Sequence, residues 1–150
     1  MTCRHISLLL FFFTFSQISF AQQSAIEIMM MENKPEGYGE GFVLAQANGT
    51  INEVNSTVVL FSYFTGDPRI RGPIQYLAVF GNENGAQLMV NPIAVGSVAE
   101  QYFRDIAIED NSVRLIGTRW EIPFDSSPSN RQNVEQYFIV RGGYLIAQAK

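Results

Sequence analysis

Four tight-turn dipeptides divide this chain into short apolar runs. Asn48-Gly49 separates residues 41–47 from 50–54, and Asn84-Gly85 separates 75–80 from 86–90. Asp110-Asn111 separates 104–109 from 112–117, and Gly142-Gly143 separates 135–141 from 144–148. A two-residue connection between antiparallel strands needs positive φ at its central positions, which Gly, Asn and Asp tolerate and bulky residues do not. The flanking runs have the length and the Val, Ile, Phe and Tyr content of strands. Four hairpins give eight strands. Residues 56–64 supply a ninth, apolar on both parities, with Val58, Leu60 and Phe64 on one side and Val59, Phe61 and Tyr63 on the other. A strand of that kind is covered on both faces and sits centrally. The segment from Tyr76 to Phe80 has the same character. The expectation is an all-β chain, or a β-rich one with one short helix. Its arrangement is an antiparallel sandwich or barrel-like meander of about eight to nine strands.

Two places carry the spacing of a helix capping box. Ser97-Val-Ala-Glu100 predicts a single helical turn near 98–102. Ser24-Ala-Ile-Glu27 has the same spacing, so residues 25–31 read as a short helix or as a strand. Residues 32–41 form a polar, glycine-rich lead-in. Residues 65–74 and 121–133 form longer loops that contain proline.

Residues 1–21 have a basic start, an apolar run from Ile6 to Phe15 and a small-x-small end at Ser19-Phe20-Ala21. That pattern is a secretory signal peptide, and its apolar run is shorter than the roughly 20 residues a membrane span needs. The expected product is a single domain over 22–150, secreted or periplasmic, with no stable membrane span once the signal is removed. His5 and Cys3 are the chain's single histidine and single cysteine, and both lie in the signal. The mature chain is therefore expected to lack Ser-His-Asp or Cys-His catalysis, internal disulfides, and zinc or copper sites built on nitrogen or sulfur. Removal of Arg4 leaves nine cations, seven of them arginine, against fourteen carboxylates, a net charge of −5. Such a chain is a poor nucleic-acid binder.

From Tyr76 onward the order of features resembles an uncharacterised family of small exported bacterial proteins. The residues that carry it are Tyr76-Leu-Ala-Val-Phe, Asn84-Gly85, Val95-Gly-Ser-Val, Ile106-Ala-Ile-Glu-Asp, Asp125-Ser-Ser-Pro-Ser129 and Gly142-Gly143. The resemblance covers about half the chain and implies no established activity. Relatives commonly have two cysteines where this chain has Ser126-Ser127. They also often carry an aspartate-rich, calcium-loop-like stretch near 48–54, where this chain has the single carboxylate Glu53.

No run matches a calcium loop, a phosphate-binding glycine loop or a dinucleotide fingerprint, so no metal or cofactor is expected. Asp67, Glu83 and Asp125 fall in turns, where acidic residues are ordinary. If Glu109 pairs with Ser112, Ala107 lies opposite Arg114, with Asp105 and Glu109 diagonal to it in a cross-strand charge ladder. Ile106, Ile108, Val113 and Leu115 then point to the core. The two long loops are the candidate partner-binding surface. Arg69 and Arg71 occupy one, and Trp120, Phe124 and Arg131 lie in or beside the other. Arginine with aromatic rings is the usual composition of interface anchors. The leading expectation is an exported non-enzymatic binding domain, an inhibitor or partner-binding protein, whose partner is an envelope protein or a glycan. The alternatives are a small carboxylate-dependent hydrolase acting on glycan and a structural envelope component.

Overall fold

Both faces of the segment around Phe61 are buried, and the rest of the architecture follows from that. The computed structural model describes residues 20–65, 73–97, 100–121 and 130–149. One helix, α1 (Phe20–Glu32), precedes eight strands: β1 (Tyr38–Ile51), β2 (Val54–Thr65), β3 (Ile74–Gly81), β4 (Gln87–Ser97), β5 (Gln101–Glu109), β6 (Ser112–Trp120), β7 (Arg131–Arg141) and β8 (Tyr144–Gln148). They form one antiparallel sheet in sequence order, β1 through β8, that does not close into a barrel. Strand β4 meets β5 through the single pair Ser97 and Gln101, whereas the other neighbours share ladders. The sheet folds over at that joint, and β1–β4 pack face to face on β5–β8. The main core lies between the two layers, where Val58, Leu60, Leu77 and Val79 meet Phe103, Val113, Leu115 and Phe138.

A buried glutamine ties the layers across the joint. Gln75 Nε2 donates to the Phe103 carbonyl at 2.7 Å, and the Phe103 N–H donates to Gln75 Oε1 at 2.7 Å. The amide thus replaces one rung of a ladder that the backbones of β3 and β5 do not make. Gly117 lets the neighbouring strand come close, since a Cβ there would lie 2.2 Å from the Tyr102 carbonyl oxygen.

Residues 25–31 are helical. Gln22, Ile26, Met29 and Met30 fall on one buried face, and the segment contains neither glycine nor proline. Asn33 closes the helix, its backbone and side-chain N–H groups both reaching the Met29 carbonyl, and Pro35 follows. Helix α1 covers the outer face of β2 and β3, so Val59, Phe61 and Tyr63 are buried beneath Ile26, Met29 and Met30. This explains the two-sided apolar pattern of β2. Phe64 departs from it: it is 62 % exposed and lies against Phe42, the ring centres 4.5 Å apart.

The hairpins at Asp110-Asn111 and Gly142-Gly143 form as expected, with positive φ at both central residues, and Gly85 has φ +96° between β3 and β4. Asn48-Gly49 is not a turn. Both residues lie inside β1, and the reversal occurs at Asn52 (φ 51°) and Glu53 (φ 68°). Gly49 instead admits the other layer, since a Cβ there would sit 3.0 Å from Ile108 Cβ. Asn52 anchors the true turn, its Nδ2 donating to the Val140 carbonyl at 2.8 Å and its N–H to Asn111 Oδ1 at 3.1 Å. Residues 50 and 51 therefore extend β1 and Val54 opens β2, and the described residues form eight strands. The helical turn near 98–102 is corrected in part. Residues 101 and 102 belong to β5, where Gln101 pairs with Arg119, and Glu100 N–H donates to the Ser97 carbonyl in a tight turn. Residues 98–99 lie outside the described residues. The lead-in loop is shorter than expected because Tyr38 to Gly41 already belong to β1.

Tyr63 OH donates to the Met30 carbonyl at 2.8 Å, supplying a partner to one of the last carbonyls of α1, which have none within the helix. Burial, with the neighbouring Tyr76, pushes the Tyr63 pKa up to about 12. The neutral phenol is favoured in the fold, so this contribution is complete below the unfolded value near 10 and is lost as pH rises toward 12. Between those limits unfolding should become easier by on the order of 2 kcal/mol. Tyr63→Phe should flatten the alkaline limb in pH-dependent equilibrium denaturation, at a cost of about 1 kcal/mol near neutrality. An unchanged limb would mean that another group controls it.

Candidate functional site

In a meander the even-to-odd connections share one end of the sheet. The strand ends that flank residues 66–72 and 122–129 therefore lie at the same end, together with the Ser97–Gln101 joint. Arg69, Arg71 and Phe124 lie outside the described residues, as do Ser126 and Ser127. The structure brings Trp120 and Arg131 together, as direct cross-strand partners on β6 and β7.

Three residues not singled out in the sequence complete the place. Tyr102 pairs with Thr118, and Arg104 Nη2 donates to Thr118 Oγ1 at 3.2 Å. With Trp120 and Arg131 they line a cleft of about 150 Å³ on the outer face of β5–β7. That is well under the roughly 300 Å³ at which sites for whole small molecules begin, so the cleft suits one inserted group. The stem beneath it is fixed. Trp120 N–H donates to the Glu100 carbonyl at 3.1 Å, Glu121 N–H donates to the Asn130 carbonyl at 3.1 Å, and Gln132 bonds the Glu121 carboxylate. Strand parity is the signal that would have found Thr118, because period-two alternation puts it on the face of Trp120. Tyr102 comes opposite Thr118 only through the register shift between Phe103 and Asp105. Arg104 shares that face through the irregularity between Phe103 and Asp105.

Farther along the same face lies the charge ladder. Glu109 pairs with Ser112 and Ala107 with Arg114, as expected, and Arg114 Nη2 sits 2.9 Å from Glu109 Oε1. Its second carboxylate is Glu135 on β7, at 3.8 Å, and not Asp105. Asp105 keeps the expected register, opposite Ile116, but its carboxylate accepts the Ile106 N–H at 2.8 Å. Hydrogen bonding with Tyr137 is the largest influence on the Arg114 pKa and raises it; burial opposes this, and the charges of Glu109 and Glu135 add to the rise, leaving it above the ordinary arginine value. Tyr137 OH in turn donates to Glu135 Oε2 at 2.7 Å. This cluster binds itself, and surface pairs of this kind are worth up to about 1 kcal/mol.

Two other carboxylates, Glu27 and Glu40, line a cavity of about 420 Å³ between α1 and β1, with Lys34, Met30 and Met31. Among the described residues no three His, Cys, Asp or Glu side chains group as a metal site would need, and no helix is long and apolar enough to cross a membrane. No family model matches the chain, and searches of curated proteins and of solved structures found no significant match.

Proposed function

We propose that the protein is an exported, non-enzymatic binding domain that seats a carboxylate of an envelope protein partner at the Trp120–Arg131 cleft. The observation that supports this reading is the juxtaposition itself. Two guanidinium groups, Arg104 and Arg131, share one small cleft with an indole and a phenol. Guanidinium holds a carboxylate through paired N–H donors while the rings exclude water around it. The apolar run from Ile6 to Phe15 supports export. Phe20 and Ala21, the described residues that precede Gln22, are exposed at the start of α1.

Arg131→Ala and Trp120→Ala should each weaken capture of the partner from an envelope extract by about 30-fold or more, the effect of a hot-spot residue, with thermal stability retained. Glu109→Gln should leave capture unchanged. Chemical crosslinking to the captured protein locates the contact. Capture that survives both cleft substitutions would overturn the reading, as would capture of an acidic glycan in place of a protein.

The Glu27–Glu40 cavity favours a second reading, a carboxylate-dependent glycan hydrolase. Hydrolysis of a cell-wall glycan that disappears in Glu40→Gln would establish it.

A further inference from the structure

The outer face of the first layer is not covered along its whole length. Helix α1 lies over β2 and β3 from Tyr63, which holds the Met30 carbonyl, as far as Thr57, which Gln22 reaches. Beyond Thr57, toward the β1–β2 hairpin, Asn48, Thr50 and Asn55 are exposed. Together with Gln22, Ser56 and Asn82 they line a groove of about 450 Å³. No charged, aromatic or aliphatic side chain is among the described residues that line it.

The groove is built on one buried hydroxyl. Thr57 is fully buried, and its Oγ1 accepts from Gln22 Nε2 and, at 2.8 Å, from Asn82 Nδ2, while donating to Asn48 Oδ1 at 2.7 Å. A threonine hydroxyl has one proton and two lone pairs, so these three partners saturate it. In the structure the hydroxyl takes nitrogen from Asn82 and gives its proton to the oxygen of Asn48, which leaves the Asn82 oxygen as an acceptor and the Asn48 nitrogen as a donor. Asn82 is held further by its own N–H, which donates to the Asn55 carbonyl at 2.8 Å. Its Oδ1 is shielded from solvent, and no donor among the described residues reaches it. An orphaned buried acceptor costs about 1–3 kcal/mol, so the fold gains when Asn82 turns this oxygen into the groove to meet a ligand donor.

We propose that this groove binds a neutral, hydroxyl-rich ligand, an uncharged glycan. A sugar hydroxyl donates and accepts at once, so neighbouring hydroxyls match an amide donor beside an amide acceptor. No charged side chain among the described residues here would hold a charged ligand, and a peptide would find no apolar pocket for its side chains. The lack of a stacking ring keeps the affinity weak, in the millimolar class. The groove lies at the hairpin end on the outer face of the first layer. The Trp120–Arg131 cleft lies at the other end, on the outer face of the second, so the two sites stand or fall separately.

The test titrates maltohexaose and chitohexaose, both uncharged, into the 15N-labelled protein and follows the side-chain amide signals of Asn48 and Asn82. Saturable shifts at both are expected with at least one probe. Asn48→Ala should weaken binding by about 3- to 10-fold, the worth of one neutral hydrogen bond. Thr50→Arg, which fills the groove without touching the Thr57 hydroxyl, should abolish it and guards against a fold defect in the first variant. The proposal is overturned if neither probe moves these signals, if Thr50→Arg binds like the parent, or if the shifts gather at Tyr102 and Trp120.

Discussion

Phe61→Ala should lower the unfolding free energy by about 3–5 kcal/mol, read from equilibrium denaturation. The ring is fully buried on β2, stacked on Tyr76 with centres 5.5 Å apart and meeting Tyr63 edge-on at 5.7 Å. Helix α1 closes the site from above through Ile26, Met29 and Met30. The surrounding rings cannot collapse into the space without giving up their own contacts, and Tyr63 is additionally tethered to the helix through the Met30 carbonyl. The cavity term therefore adds to the lost transfer energy in full. Loss of α1 ellipticity before the sheet unfolds is the accompanying sign, because the ring is central to the surface on which the helix rests. A cost under about 1 kcal/mol would show that the helix does not seal this face.

The second large effect concerns Gln75. Gln75→Met keeps most of the volume but removes both hydrogen bonds to Phe103, leaving a buried N–H and a buried carbonyl without partners. At about 1–3 kcal/mol for each orphan, the variant should lose roughly 2–6 kcal/mol. Gln75→Glu should be at least as damaging, since a carboxylate accepts the Phe103 N–H but repels the Phe103 carbonyl in a dry site. Hydrogen exchange at the Phe103 amide gives a local readout, and its protection should fall further than that of β2 amides. Stability unchanged in Gln75→Met would mean that the layers are held together without this bridge.

The hairpin chemistry of the sequence carried most of the fold. Asp110-Asn111 and Gly142-Gly143 became two-residue turns because nothing across the layers competed for those positions. Asn48-Gly49 failed for a tertiary reason: the glycine was required where Ile108 presses on β1, and a less typical pair, Asn52-Glu53, took the turn because Asn52 could be anchored by Val140 and Asn111. The helix over 25–31 was undecided in sequence because the short run Ile-Glu-Ile-Met-Met is compatible with either period. The sheet beneath decided it by offering Val59, Phe61 and Ala78 to one helical face. At the candidate site, Trp120 and Arg131 were legible as loop-flanking residues. Thr118 follows from strand parity, but Tyr102 and Arg104 were not legible, because their place depends on the β5–β6 register and its irregularity near Asp105. Thr57 was the least legible of all. In sequence it is one more β-branched strand residue, and its part in holding three amides exists only once α1 lies on the sheet.

The single strand pair between β4 and β5 has a mechanical meaning. Within each layer, displacement of one strand against the next breaks a row of backbone hydrogen bonds at once. Between the layers it breaks that pair, the Gln75 bridge, the bond of Gln101 to Val95 and the two bonds of Asn52 to Val140 and Asn111, and otherwise slides apolar side chains over one another. Load applied along the strands should therefore be resisted stiffly within each sheet and compliantly between them, making the interlayer plane the direction of easiest shear.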